Sequence, residues 1–259
     1  MKFSVLGSIE VVSGGAHLEL GGIRQRAILG YLLLNANKVV ATSQILHATW
    51  DGCPPPTARK MIQNAVSGIR RMLTACTGPA GTPVLRTHPP GYQLRLDPEA
   101  VDLFRFRRLV REGRLASAEG SPAAGAELLT EALSLWRGRA LADLIETGIG
   151  WSELTAIEDE RLSAIEDRLE AELACGRHRE ITPELEVLTA TEPMRERLCH
   201  QFMLALYRSG RQVDALRIYR RTREALVDGL GVEPGRGLQE LQQRILKHDE
   251  LIQVPALAA

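Results

Sequence analysis

Six basic side chains and no carboxylate fall between Gly52 and Leu96: Arg59, Lys60, Arg70, Arg71, Arg86 and Arg95. On a helical wheel turning about 100° per residue, residues 57–73 sort into two arcs. Met61, Ile62, Ala65, Val66, Ile69, Met72 and Leu73 share one arc, and Arg59, Lys60, Gln63, Asn64, Ser67, Arg70 and Arg71 share the other. A solvated helix face ordinarily mixes both signs of charge in i,i+4 pairs. A face of cations, amides and one hydroxyl is suited instead to phosphate oxygens and to the edges of guanine and adenine. The pattern predicts a DNA recognition helix, with Gln63 and Asn64 the candidates for adenine and the arginines for guanine or phosphate. A basic amphipathic helix by itself also suits an acidic partner or a membrane surface, so its neighbours decide.

Those neighbours predict a winged helix-turn-helix. Short strands are expected over residues 2–6, 9–12 and 17–20, separated by glycine-containing turns. A helix is expected over 24–35, then an extended stretch at 39–41. Thr42 and Ser43 are good N-cap residues for a short helix carrying Ile45, Leu46 and Trp50. Pro54, Pro55 and Pro56 break the chain, so that Pro56 or Thr57 starts the long amphipathic helix. Strands at 84–88 and 92–96, joined through Pro89-Pro90-Gly91, make a hairpin with Arg86, Thr87, His88 and Tyr92 on it. In this order of elements the third helix enters the major groove and the hairpin reaches the backbone or the adjacent minor groove.

From Val101 onward the pattern is helical, with helices expected over 101–116, 122–136, 151–175, 179–190, 194–208, 212–229 and 235–248. The run LALYRSGRQVDALRIYRR resembles one tetratricopeptide unit, with Ala215 and Tyr219 at its alanine-to-aromatic spacing. Each such helix pair needs neighbours to cover its apolar face. The expected fold class is therefore mainly α: a winged helix with a small β-sheet and wing hairpin, then an all-α tetratricopeptide-like domain.

Net charge hides this division. The chain holds 32 basic and 32 acidic side chains, but residues 1–96 hold 10 against 3 and residues 97–259 hold 22 against 29. Opposite halves point to two domains with different partners, the basic one suited to nucleic acid. The boundaries expected are 1–96 and 97–259. No apolar run approaches the roughly 20 residues needed to span a bilayer, and the N-terminus lacks a secretory pattern. Cys53, Cys76, Cys175 and Cys199 have no framework spacing, which suits reduced thiols in a cytoplasmic protein without membrane contact.

Catalytic constellations are missing. No phosphate-cradling G-x-x-x-x-G-K-[ST], G-x-S-x-G or H-E-x-x-H occurs, and no enzyme, cofactor or metal is expected. Cys175, His178, Cys199 and His200 suggest zinc only superficially, because adjacent Cys199 and His200 diverge by about 100° on a helix. Glu158, Asp159, Glu160, Glu166, Asp167, Glu170 and Glu172 alternate with Arg161 and Arg168, the pattern of a solvated helix. Trp50, Trp136 and Trp151 are expected as packing anchors. Aromatics total only 4% and do not interleave with the basic run, which argues against single-strand binding by stacking.

The sequence also resembles the Streptomyces antibiotic regulatory protein family along nearly its full length. TARKMIQNAVSGIRRML followed by RTHPPGYQL is similar to the OmpR-type winged helix. VDLFRFRRLV, EALSLWRGRALADL, ERLSAIEDRLEAELACGRH, PELEVL, RERLCHQFMLALYRSGRQVDALRIYRR and LVDGLGVEP resemble, in order, the bacterial transcriptional activation domain. The resemblance implies a transcription activator of a secondary-metabolite gene cluster. Such a protein would bind direct repeats of double-stranded DNA near the −35 region, two protomers side by side, and recruit RNA polymerase holoenzyme. It further implies a stand-alone form without receiver or nucleotide-binding modules, hence no phosphorelay control. Trp50, Asp51 and Gly52, in the loop reaching Pro56, are the candidate polymerase surface by the same resemblance. One departure is His88, where the family usually has Arg before Pro-Pro-Gly-Tyr. Two rivals remain: a helical-repeat scaffold whose winged helix binds protein, and a repressor whose helical domain senses a ligand in an apolar cavity.

Overall fold

The computed structural model describes residues 1–50, 53–75, 84–249 and 252. The alternating N-terminus forms an antiparallel sheet of β1 (Lys2–Ser4), β2 (Glu10–Ser13) and β3 (Ala16–His17), with Phe3 opposite Val11 and Val12 opposite His17. Phe3 and Val11 face inward and are buried, as period-two alternation requires. The third strand is shorter than expected. Gly21, at φ 73°, already turns the chain toward α1 (Ile23–Leu34).

After α1 come β4 (Val39–Ala41), α2 (Thr42–Trp50), α3 (Ala58–Ala75), β5 (Val84–His88) and β6 (Gly91–Arg95). The expected two-stranded wing is part of a three-stranded antiparallel sheet ordered β4-β6-β5. The stretch before α2 thus becomes an edge strand, with Val40 opposite Tyr92 and Ala41 opposite Gly91. A Cβ at residue 91 would lie 1.9 Å from the Val40 carbonyl oxygen, so only glycine lets the strands come this close. Thr42 does not act as the expected N-cap. Its N–H (3.2 Å) and hydroxyl (3.1 Å) both donate to Pro90 O, tying α2 to the wing turn. Gln44 takes over at the helix start, its Oε1 accepting the Ala41 N–H at 2.9 Å.

The helical part contains a 3-10 turn (Pro98–Ala100), α4 (Asp102–Ala118), α5 (Pro122–Ser134), α6 (Ala142–Ile145), α7 (Ser152–Ala174), α8 (His178–Thr191), α9 (Glu196–Arg208), α10 (Gln212–Leu230) and α11 (Arg236–Leu246). The 3-10 turn and α6 were not expected, since one turn of helix is too short to show periodicity.

Packing divides the chain into one compact unit of residues 1–111 with 131–162 and another of 112–130 with 163–259. This is a different partition from a sequence boundary near residue 96, and the first unit's hydrogen bonds explain it. The Asp102 carboxylate accepts the N–H of Val5 (2.8 Å), Leu6 (3.1 Å) and Leu103 (2.8 Å). Arg137 N donates to Leu6 O and Leu141 N to Val5 O, at 2.8 and 2.9 Å. Asp143 accepts the Ile9 N–H at 2.9 Å and pairs with Arg26 at 3.1 Å. The N-terminal sheet is thus bonded to residues that follow the winged helix in sequence. Burial raises the Asp102 carboxyl above its usual value, although the three N–H donors and Arg137 pull the other way.

Trp136 and Trp151 are anchors in this unit, as expected. Trp136 meets Phe106 edge-on at 5.4 Å and lies under the Arg161 guanidinium. Trp151 meets Tyr31 at 5.1 Å and donates its indole N–H to Ala48 O at 2.8 Å. In the second unit, α9 packs against α8, α10 and α11. Ala215 and Tyr219 are buried there beside Phe202, Leu206 and Leu238, as the repeat spacing predicts.

The acidic face of α7 is only in part the solvated surface expected: Asp159 and Glu170 are exposed, and several of its acids are paired. Glu158 accepts the Ala140 N–H at 2.8 Å, and both Glu160 oxygens take the Arg107 guanidinium at 2.7 and 2.8 Å. Glu166 is buried with Arg195 and Arg197 each at 3.6 Å, and Asp167 takes Arg197 at 2.7 Å. Leu154, Ile157, Ala164, Leu169, Ala171 and Leu173 are all buried on the same helix. A helix covered on several sides must pair its charges, because an unpaired buried carboxylate is costly.

Candidate nucleic-acid interface

Helix α3 is seated by its flanks. Ala58 N donates to Pro55 O at 2.9 Å and Met61 N to Thr57 O at 3.0 Å, continuing the proline-bounded turn into the helix. Its apolar arc is inside: Ile62, Ala65, Val66, Ile69 and Leu73 are buried, and Met61 and Met72 half-buried. They pack with α1 and α2, whose Ile28, Leu32 and Ile45 are fully covered. Burying one arc forces the other outward. Arg59, Lys60, Gln63, Asn64, Ser67 and Arg71 are all exposed.

Arg70 departs from the expected groove-facing role. Its Nε donates to Leu85 O at 2.9 Å and its Nη2 to Thr87 Oγ1 at 2.8 Å. Arg70 and Thr87 therefore join the helix to the wing strand. The wheel gives an angle around the helix but not which strand lies beside it, so this tie had no sequence signal.

Strand alternation sorts the wing residues. Thr87 pairs with Tyr92 and Leu85 with Leu94, so these four share one face of the hairpin, covered at Leu85, Tyr92 and Leu94 and open at Thr87. Tyr92 is accordingly buried with Leu94 and lies off the exposed face of the wing. Arg86 and His88 occupy the opposite face and are exposed, and His88 Nδ1 lies 3.1 Å from Pro89 O. Trp50 is half-buried at the end of α2, its ring 5.7 Å from the Arg24 guanidinium carbon. Asp51 and Gly52, the rest of the candidate polymerase surface, lie outside the described residues.

The site therefore presents Arg59, Lys60 and Arg71 on the helix and Arg86 on the wing. The amides of Gln63 and Asn64 stand between the cations, and no acid occurs in the sequence of either element. Such a surface favours a polyanion and carries hydrogen-bonding groups able to read base edges. Among the described residues, no group of three or more His, Cys, Asp or Glu could hold a metal ion. Cys199 is in the core, where burial raises its thiol, and burial lowers His178 and His200. No helix among the described residues is long and apolar enough to cross a membrane.

A basic winged helix combined with an array of helix pairs defines a class of transcription regulators, and comparison with known proteins places the chain within it. Residues 101–246 match the bacterial transcriptional activator domain. Regulatory protein DnrI of Streptomyces peucetius is 36% identical over all of this chain and 98% of its own length. Regulatory protein AfsR of Streptomyces griseus is 38% identical over 99% of this chain, which spans 26% of that relative. A solved structure of Mycobacterium tuberculosis EmbR, in complex with a low-affinity phosphopeptide, superposes with a TM-score of 0.88 at 36% identity. That match covers 95% of this chain and 65% of EmbR. The chain belongs to the Streptomyces antibiotic regulatory protein family. It is a transcription regulator rather than an enzyme.

Proposed function

We propose that the chain activates transcription of a secondary-metabolite gene cluster by placing α3 in the major groove of promoter DNA. The observation that carries this reading is the exposed, acid-free arc of α3 beside the exposed Arg86 and His88 of the wing. Gln63 and Asn64 read adenine, Arg59, Lys60 and Arg71 hold guanine or phosphate, and Arg86 and His88 meet the backbone. Residues 1–96 carry the DNA contact and residues 97–259 the activating surface. Two protomers bind side by side on direct repeats near the −35 region and recruit RNA polymerase holoenzyme, with Trp50, Asp51 and Gly52 as the contact. The family's role in transcription regulation supports this reading.

The test is selection of bound duplexes from random DNA by the purified protein, followed by footprinting and reconstituted transcription. The expected result is one motif repeated head-to-tail at about one helical turn, with polymerase-dependent activation from it. Equal retention of all sequences, or an inverted repeat, would overturn the proposal.

A further inference from the structure

The second unit contains a cavity of about 590 Å³ lined by α7, α9 and the start of α11. Its wall is mainly apolar, with Leu173, Leu204 and Leu238 contributing. Most charges beside it are already engaged. Arg197 is held by Asp167 and Glu170, and Glu196 accepts the Gly235 N–H at 2.6 Å. Arg208 is different. Its Nε donates to Ile252 O at 3.0 Å and its Nη1 to Leu173 O at 2.9 Å, and among the described residues no carboxylate pairs with it. Burial alone lowers this guanidinium, with no acid opposing the shift, yet an arginine keeps its charge at neutral pH. Burial lowers His200 in the same wall, so it adds no second full cation there.

A half-buried cation with no carboxylate partner among the described residues, beside an apolar cavity, is complementary to an anion with a hydrocarbon body. We propose that this cavity binds a small amphipathic carboxylic acid, its carboxylate on Arg208 and its apolar body against Leu173, Leu204 and Leu238. The cavity volume lies in the range of ordinary small-molecule sites. Occupation would place a ligand against three helices of the activator domain, a site separate in its chemistry from the basic face of α3.

Arg208 also caps the carbonyl end of α7, so its replacement risks the fold. Gly237 offers a cleaner block: it lines the cavity, and a Cβ built there meets no heavy atom within 4 Å. The experiment is calorimetric titration of the full chain with sodium octanoate, and with octylamine as the matched cation. Saturable one-to-one octanoate binding is expected, with octylamine at least about tenfold weaker. Gly237→Phe should weaken octanoate by about tenfold or more while its thermal unfolding and DNA binding stay unchanged. Arg208→Gln, if folded, should remove the preference for octanoate over octylamine. Lack of saturable octanoate binding, equal affinity for the amine, or full binding by folded Gly237→Phe would each overturn the proposal. None of these outcomes bears on whether α3 contacts DNA.

Discussion

His88 sits at the wing, beside the Pro89-Pro90-Gly91 turn, and a single side chain there has a defined electrostatic consequence. A guanidinium forks onto phosphate with a planar set of donors, which an imidazole cannot match. His88 is exposed on the same face as Arg86, beside the wing turn. His88→Arg is expected to tighten DNA binding and to steepen the slope of log K against log[salt] by up to about 0.9. The gain should be nearly equal on specific and random duplexes, because a phosphate contact carries no sequence information. A salt titration of both proteins checks this. An unchanged slope would mean that residue 88 points away from the backbone and that Arg86 is the wing's cation.

Between α3 and β5 the decisive contact is Arg70, whose two hydrogen bonds to Leu85 O and Thr87 Oγ1 fix the wing relative to the helix. A reader helix and a wing that moved independently would each bind, but without a shared register. Arg70→Gln should therefore lower stability by about 1.5–3 kcal/mol, the usual range for hydrogen bonds that involve a charged group. It should also reduce the preference for specific over random DNA while leaving the salt slope nearly intact. Arg71→Gln, which removes an exposed cation next door, should instead lower the slope by about 0.9. If the two variants flatten the slope equally, Arg70 reaches phosphate and the strut assignment is wrong.

The first compact unit is built from segments distant in sequence, and its stability should reflect that. Truncation after residue 96 removes Asp102, Arg137, Leu141 and Asp143, which hold the backbone of residues 5–9 and the Arg26 side chain. Each hydrogen bond exchanged for water costs about 0.5–1.5 kcal/mol, and Phe3, Val5 and Leu6 would lose cover as well. A fragment of residues 1–96 should accordingly unfold at markedly lower urea concentration than one of residues 1–162, and should bind DNA more weakly. Equal unfolding midpoints would show that the N-terminal sheet does not depend on the later segments.

How much of this was legible without coordinates follows from the range of each signal. The two arcs of α3, the helices from residue 101 onward and the repeat-like Ala215 and Tyr219 are all periodic, and local periodicity is carried by the chain itself. The exposed face of Arg59, Lys60, Gln63, Asn64, Ser67 and Arg71 follows directly, since burying one arc of a helix exposes the other. Long-range pairing left no such mark. That Tyr92 turns inward depends on register against β4 and β5, and that Arg70 meets Thr87 depends on which strand lies beside α3. The alternating charges of α7 read as solvated because composition reports residue types and not neighbours; arginines brought from α4 and α9 make them ion pairs. Local periodicity determined which faces of each element are apolar, and tertiary structure alone decided which partner each face would meet.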